Sequence, residues 1–201
     1  MSPLPVSVIC AVTGASGGPL TLALLRALAG FPLRLALIFS PVGAQVFAAE
    51  TGISPEAPSI LDALAAEGEP AAHLEFYRPD DFSAPIASGT VRWEGMVVCP
   101  CSLGTVGRIA AGVSDNLITR AADIALKERR RLVIVPREAP LSALHLENLA
   151  KLAQLGAIII PPVLTFYHRP RTLEDQLAFL AGRVLRALGL PDRLDGAWKP
   201  E

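Results

Sequence analysis

Val6-Ser-Val-Ile-Cys-Ala-Val12 runs into Thr13-Gly14-Ala15-Ser16-Gly17-Gly18-Pro19 and then into Leu20-Thr-Leu-Ala-Leu-Leu-Arg-Ala-Leu-Ala29. The first segment is apolar and rich in β-branched residues, as a buried strand requires. The second is a small-residue loop. Its Pro19 falls in the first turn of the third segment, where its missing N–H costs nothing. That third segment has helical composition. Strand, tight loop and helix in that order open a βαβ unit, and the rest of the chain repeats the alternation.

Residues 33–39 read as a second strand stopped at Ser40-Pro41, with a helix over 42–50. Residues 95–99 form a third strand entering Pro100-Cys101-Ser102-Leu103-Gly104-Thr105. The spacing of Leu117, Ala121, Ile124 and Ala125 predicts a helix over 116–129. Strands at 132–135 and 157–160 flank a helix at 142–155, and Thr172-x-x-Asp175 resembles a capping box opening a last helix to about residue 188. Residues 51–94 show no steady period. Five strands alternating with helices predict a three-layer αβα, Rossmann-like (flavodoxin-like) domain with a mostly parallel sheet. No repeat interrupts it, so residues 1–201 read as a single domain with a C-terminal tail from about residue 190.

Composition narrows the function classes. Hydrophobic residues make up 51% of 201 and charged residues only 18%, with a mean hydropathy of +0.43. No stretch reaches the roughly 20 apolar residues of a membrane span. So apolar a chain is expected to bury surface against copies of itself, as a homo-oligomer. A net charge of −1 gives no electrostatic case for nucleic acid. Fifteen of the 18 cations are arginine, which suits bidentate anion contacts. The three cysteines, Cys10, Cys99 and Cys101, lie in apolar segments without zinc-ligand spacing. With no signal-peptide pattern before residue 6, the expected location is cytoplasmic.

In open α/β sheets ligands bind beyond the carboxyl ends of the strands, and four such ends carry chemistry here. Gly14-Ala15-Ser16-Gly17-Gly18 offers close backbone approach and a helix N-terminus, or is simply a tight turn. It is neither G-x-G-x-x-G nor a Walker loop, which disfavours NAD and ATP. Ser40 is a helix cap or a ligand contact. Ser102-Leu103-Gly104-Thr105 supplies two hydroxyls at another helix start, completing a possible two-sided phosphate cradle. Arg137 and Glu138 are pinned between prolines. Arg120 and Lys127 share a helix face, solvated or anion-binding, and Phe166-Tyr167-His168 gathers aromatics in a chain with 5% of them. His145 and His168 lack an obvious carboxylate partner.

Taken together, these stretches resemble the flavin prenyltransferase family (UbiX-like). The matching pieces are Gly14-Ala15-Ser16-Gly17, Cys99-Pro-Cys-Ser102 with Thr105, and Asp115-Asn-Leu-Ile-Thr-Arg120-Ala-Ala-Asp-Ile-Ala-Leu-Lys127-Glu-Arg-Arg130. They continue through Val135-Pro-Arg137-Glu138-Ala-Pro140, His145-Leu-Glu-Asn148, and Pro161-Pro-Val163 with Phe166-Tyr167-His-Arg-Pro170. They keep the family's order and span residues 6–190.

The resemblance implies a metal-independent enzyme that joins the dimethylallyl group of dimethylallyl phosphate to N5 and C6 of reduced FMN. The prenylated FMN serves a UbiD-type decarboxylase in ubiquinone synthesis or aromatic-acid decarboxylation, and the family forms homo-dodecamers built from trimers. Carried over by position, FMN contacts Gly14, Ala15, Ser16, Ser40, Ser102, Leu103, Gly104, Thr105 and Arg137. The prenyl phosphate is held by Arg120, Lys127, Tyr167 and Arg183, with Phe82 beside the prenyl group and Glu50 and Glu138 nearby. Ser16, Glu50, Lys127 and Glu138 are the implied catalytic set, with Glu138, Ser16 or the released phosphate taking the last proton.

Two departures stand out. Phe82 replaces a tryptophan frequent in members and is a weaker cation–π partner, and Gly18 stands where many have alanine. Trp198 resembles a tail aromatic that folds over the site in some relatives. The competing readings are an FMN-dependent decarboxylase acting on an aromatic or cysteinyl carboxylate, and a non-catalytic FMN-binding subunit. The first is disfavoured because residues 1–72 contain no histidine to serve as base.

Overall fold

Strand β1 (Ser7–Val12) has both faces buried, and its alternate residues enter two different cores. Ile9 and Ala11 point to one side, and Val8, Cys10 and Val12 to the other. The same alternation holds for β4 (Gly95–Cys101) and β5 (Arg131–Pro136). Continuous apolar runs of this kind suit a parallel sheet covered on both sides. The computed structural model, which describes residues 7–65 and 72–191 of the chain, bears this out.

Six strands lie in the order β3-β2-β1-β4-β5-β6, every pairing parallel. Besides those above they are β2 (Arg34–Phe39), β3 (His73–Tyr77) and β6 (Ile158–Ile159). Helices α1 (Gly18–Ala29), α2 (Pro41–Thr51), α3 (Ala57–Ala65) and α7 (Leu173–Ala187) contribute to one core. The opposite core receives α4 (Leu103–Ala110), α5 (Leu117–Lys127) and α6 (Ala143–Gln154). Three layers and a parallel sheet are as expected.

Side-chain caps start most of these helices. Ser40, Ser102, Asn116, Ser142 and Thr172 each accept from a backbone N–H of the first turn, and the last three form full capping boxes.

Three expectations need correction. Residues 51–94 hold a helix, α3, an edge strand, β3, and a 3-10 turn at Pro85–Ala87, so the sheet has six strands and not five. β3 contains His73 and Glu75, and among the described residues only β2 pairs with it. Its identity comes from the open edge of β2 and from the Arg34–Glu75 ion pair, neither of which has a local sequence pattern. The strand at 95–99 runs on to Cys101, through the cis Cys99–Pro100 peptide and a register shift against β5 between Val98 and Cys101. The strand at 157–160 shrinks to Ile158–Ile159. The tail, with Trp198, falls outside the described residues.

Candidate functional site

Because β1 has β2 on one side and β4 on the other, the chain reverses its winding direction between β1 and β4. This topological switch point is where α/β sheets open a crevice. Thr13, absent from the sequence-derived set, holds it together. Its backbone N–H and its hydroxyl both donate to the Pro100 carbonyl (3.1 and 3.0 Å), and its Oγ1 accepts from the Ser102 N–H at 2.8 Å. The residue is 2% exposed, so these bonds clamp the end of β1 to the end of β4. A threonine closing a strand was the available signal, obscured by the glycines after it.

The crevice is a cleft of about 370 Å³ lined by Thr13, Gly14, Ser40, Val42, Ser102, Thr105 and Arg108, with Asp115 and Asn116 at one wall. Two helix N-termini face it. Ser40 Oγ accepts from the Gly43 N–H at 3.0 Å, and Ser102 Oγ accepts from the Thr105 N–H at 3.3 Å and lies 3.0 Å from Thr105 Oγ1. The first-turn N–H groups of Leu103 and Gly104 have no intrahelical acceptor. Together with the helix dipoles they favour an anion. Gly14 is needed for space, since a Cβ there would lie 2.5 Å from Val42 Cγ1. Arg108, paired with Asp115 at 3.3 Å, adds a cation that the sequence reading missed.

Beyond Gly14 the loop turns away over a second cavity, of about 490 Å³. Ser16, Gly17, Glu50 and Arg137 form its polar rim, and Pro100, Val135, Leu164, Leu177 and Leu180 contribute apolar lining. Gly17 has φ +144°, a conformation that only glycine adopts without strain. This directs the Gly17 and Gly18 N–H groups onto Glu50 Oε2 at 2.8 and 2.6 Å. Glu50 thus caps α1 from a neighbouring helix. Burial works to raise its pKa, but the hydrogen bonds from Ser16, Gly17 and Gly18 and the Arg137 charge outweigh it and hold the carboxyl below its usual value. Arg137 Nε donates to the Ser16 carbonyl at 3.1 Å, and Glu138 accepts from the Ala139 N–H at 3.1 Å.

The remaining predicted residues stand elsewhere. Arg120 donates to the Ala87 carbonyl (3.2 Å) and pairs with Asp123 (3.2 Å), while Lys127 pairs with Glu128 at 2.6 Å. A Cβ on Gly89 would lie 2.9 Å from Lys127 Nζ, which places Lys127 beside the 87–89 segment. Helix α5 begins next to Asn116, in the cleft wall, and ends at Lys127, just before β5 starts. Eleven residues span roughly 16 Å, so Lys127 lies toward the amino edge of the sheet. Arg183, exposed on α7, lies one turn beyond Leu180, which lines the second cavity. Tyr167 and Phe82 are half exposed, at 53% and 50%.

Gly14, Ala15, Ser16, Ser40, Ser102, Leu103, Gly104, Thr105, Arg137, Glu50 and Glu138 therefore sit at the carboxyl ends of the strands in one chain. Lys127 does not. Both histidines singled out in the sequence, His145 and His168, make structural contacts. His145 closes the α6 capping box, and His168 stacks on Phe179 at 4.3 Å. Among the described residues no three metal-ligating side chains cluster, and no helix is long and apolar enough to cross a membrane.

The fold and this cleft define a Rossmann-type protein built to hold a phosphate-bearing ligand at its switch point. The chain belongs to the flavoprotein family, whose model matches residues 4–177, and within it to the flavin prenyltransferases of the UbiX type. It is 43% identical over 197 residues to flavin prenyltransferase UbiX of Pseudomonas aeruginosa, covering 96% of this chain and 94% of that one. Among solved structures, a dodecameric FMN-dependent UbiX-like decarboxylase from Escherichia coli O157:H7 superposes with a TM-score of 0.86 at 39% identity, over 97% of this chain and 100% of that one. AnUbiX (PadA1) in complex with FMN and dimethylallyl pyrophosphate gives 0.84 at 35% identity, over 96% and 99%.

Proposed function

We infer that this protein is a flavin prenyltransferase, joining the dimethylallyl group of dimethylallyl phosphate to N5 and C6 of reduced FMN with release of inorganic phosphate. The observation that carries this reading is the pair of hydroxyl-capped helix N-termini, Ser40 and Ser102, facing one cleft at the switch point. That arrangement fits the FMN phosphate, whose negative charge meets two dipoles, the open Leu103 and Gly104 N–H groups and Arg108. Reduced FMN supplies the nucleophile.

The chain's own groups do the rest. Ser16, Glu50 and Arg137 line the rim beyond the phosphate cradle, where the flavin ring would lie. The cations Arg120, Lys127 and Arg183 and the Tyr167 phenol stabilise the donor phosphate as its C–O bond breaks, the usual way to stabilise departing charge. Phe82 faces the allylic cation, and Glu138, beside Arg137, is placed to accept the proton lost on ring closure.

Lys127 lies about a helix length from the cleft within one copy, so the complete site is assembled between copies. The exposed apolar side chains support this assembly, among them Leu144 (63%), Val163 (61%), Leu164 (60%) and Phe166 (72%). A dodecamer, as in the E. coli relative, is the assembly we propose, each chain acting as one FMN-binding domain. A UbiD-type decarboxylase would receive the product. Three buried cysteine thiols without disulfides fit a cytoplasmic location.

Anaerobic incubation with reduced FMN and dimethylallyl phosphate, followed by mass spectrometry of the released flavin, tests this function. A gain of one five-carbon prenyl unit is expected. Unmodified flavin from folded, FMN-loaded protein would overturn it.

A further inference from the structure

Between β6 and α7 the chain runs from residue 160 to residue 172 with no helix or strand, yet it carries Tyr167. Two of its backbone hydrogen bonds are internal, Val163 to Pro161 and Arg169 to Phe166. Its ends are tied by Ile160 N–H to the Ile134 carbonyl and by the Arg171 and Thr172 N–H groups to Asp175, and its middle is fastened by Gln176, one turn into α7. The Gln176 amide donates through Nε2 to the Thr165 carbonyl at 2.6 Å and accepts through Oε1 from the Thr165 N–H at 3.2 Å. Both ends of one side chain close on one residue's backbone, like a single rung of a β-ladder.

Gln176 is out of character for its place. It is 6% exposed, while the other buried side chains of α7 include Phe179, Leu180, Val184 and Leu185. The other buried polar residues among those described are all threonines. Packing alone would be served by leucine, and a buried amide persists where its hydrogen bonds do something.

One turn further along α7, Phe179 completes a seat. The His168 ring stacks on it face to face, at 4.3 Å and 6°, and Tyr167 meets it edge-on at 5.6 Å and 83°. His168 Nδ1 lies 3.1 Å from Thr165 Oγ1, tying the aromatic pair back to the residue that Gln176 holds. Arg169, at φ +54°, then turns the chain away. Among the described residues the Tyr167 hydroxyl makes no hydrogen bond, so the ring is pinned while its polar end stays available.

We propose that Gln176, with Phe179, is a positioning residue that preorganises Tyr167 for the donor phosphate, setting donor affinity through its hold on the Thr165 backbone. This rests on the prenyltransferase reading. Ordering Tyr167 before the donor arrives removes an entropic cost of binding, so loss of the clamp should appear in the KM for the donor and leave FMN binding alone.

The test has two legs on the full-length assembly. In hydrogen-exchange mass spectrometry without ligands, Gln176→Met, which keeps length and packing, is expected to lose protection across residues 163–168. In steady-state prenylation it is expected to raise the KM for dimethylallyl phosphate about five- to tenfold, the size of one or two modest hydrogen bonds, with kcat and FMN affinity within about twofold. In a Tyr167→Phe background the same substitution should add less than about twofold, because the two residues act as one unit. Phe179→Leu, leaving the Gln176 clamp in place, should give the same KM pattern.

Unchanged exchange would overturn the clamp. An equal KM penalty in both backgrounds would make Gln176 a merely structural residue, and a loss of FMN affinity would overturn the proposal by making it part of the flavin cavity that it lines. A wild-type chain that produces no prenylated FMN would instead sink the prenyltransferase reading, and that result is visible before any variant is compared.

Discussion

Glu50 illustrates how much one side chain depends on distant backbone. Its carboxylate exists as a helix cap only because Gly17 adopts φ +144° and turns two N–H groups toward α2. Its folded pKa is lowered from the ordinary 4.5. A carboxyl with a depressed folded pKa contributes stability that is complete above the ordinary value and is lost as pH falls through the folded one. Glu50→Gln is therefore expected to flatten the acid limb of the stability profile below about pH 4.5, read as melting temperature against pH. An acid limb identical to wild type would count against the cap. Glu138 follows Arg137 just past the end of β5 and accepts from its own following N–H. Glu138→Gln should abolish prenylation while flavin fluorescence titration shows FMN still bound, and unchanged turnover would remove Glu138 from the mechanism.

At the scale of elements, the site consists of helix starts set against strand ends. Ser102 does two jobs there, capping α4 and presenting its hydroxyl to the cleft. Ser102→Ala is expected to cost about 1 kcal/mol of stability as a lost N-cap. It should also weaken FMN binding about tenfold or more, since hydrogen bonds to charged groups contribute about 1.5–3 kcal/mol. Thermal melts and flavin titration read the two effects separately. These helix starts were legible in the sequence because a serine before a proline or an apolar run is a local signal. The edge strand β3 was not, because a strand with His73 and Glu75 in it owes its conformation to the free edge of β2.

For the whole molecule the decisive fact is distance. Ser16, Glu138 and Ser102 gather at the carboxyl edge of the sheet, whereas Lys127 ends a helix of eleven residues that runs back toward the other edge. A site that needs both must draw on two copies. Co-expression of Glu138→Gln chains with Lys127→Ala chains is then expected to restore part of the activity that each variant lacks alone, because mixed assemblies contain some sites with both wild-type residues. Activity assays on the purified mixed oligomer, against the separately purified variants mixed without exchange, check this. No recovery would place the whole site within one chain.

The sequence by itself determined the alternation of strands and helices, the small-residue loop after β1, and the hydroxyls at Ser40 and Ser102. Each of these is written in neighbours a few residues apart, through hydrophobic period, chain flexibility or capping chemistry. Only the tertiary structure decided that Thr13 clamps β1 to β4, that Glu50 caps α1 and that Gln176 holds the chain around Tyr167. It also decided that Lys127 lies toward a different edge of the sheet from the loop after β1. These contacts join residues 11 to 89 positions apart, and a hydrogen bond across such a span leaves no periodic trace in composition.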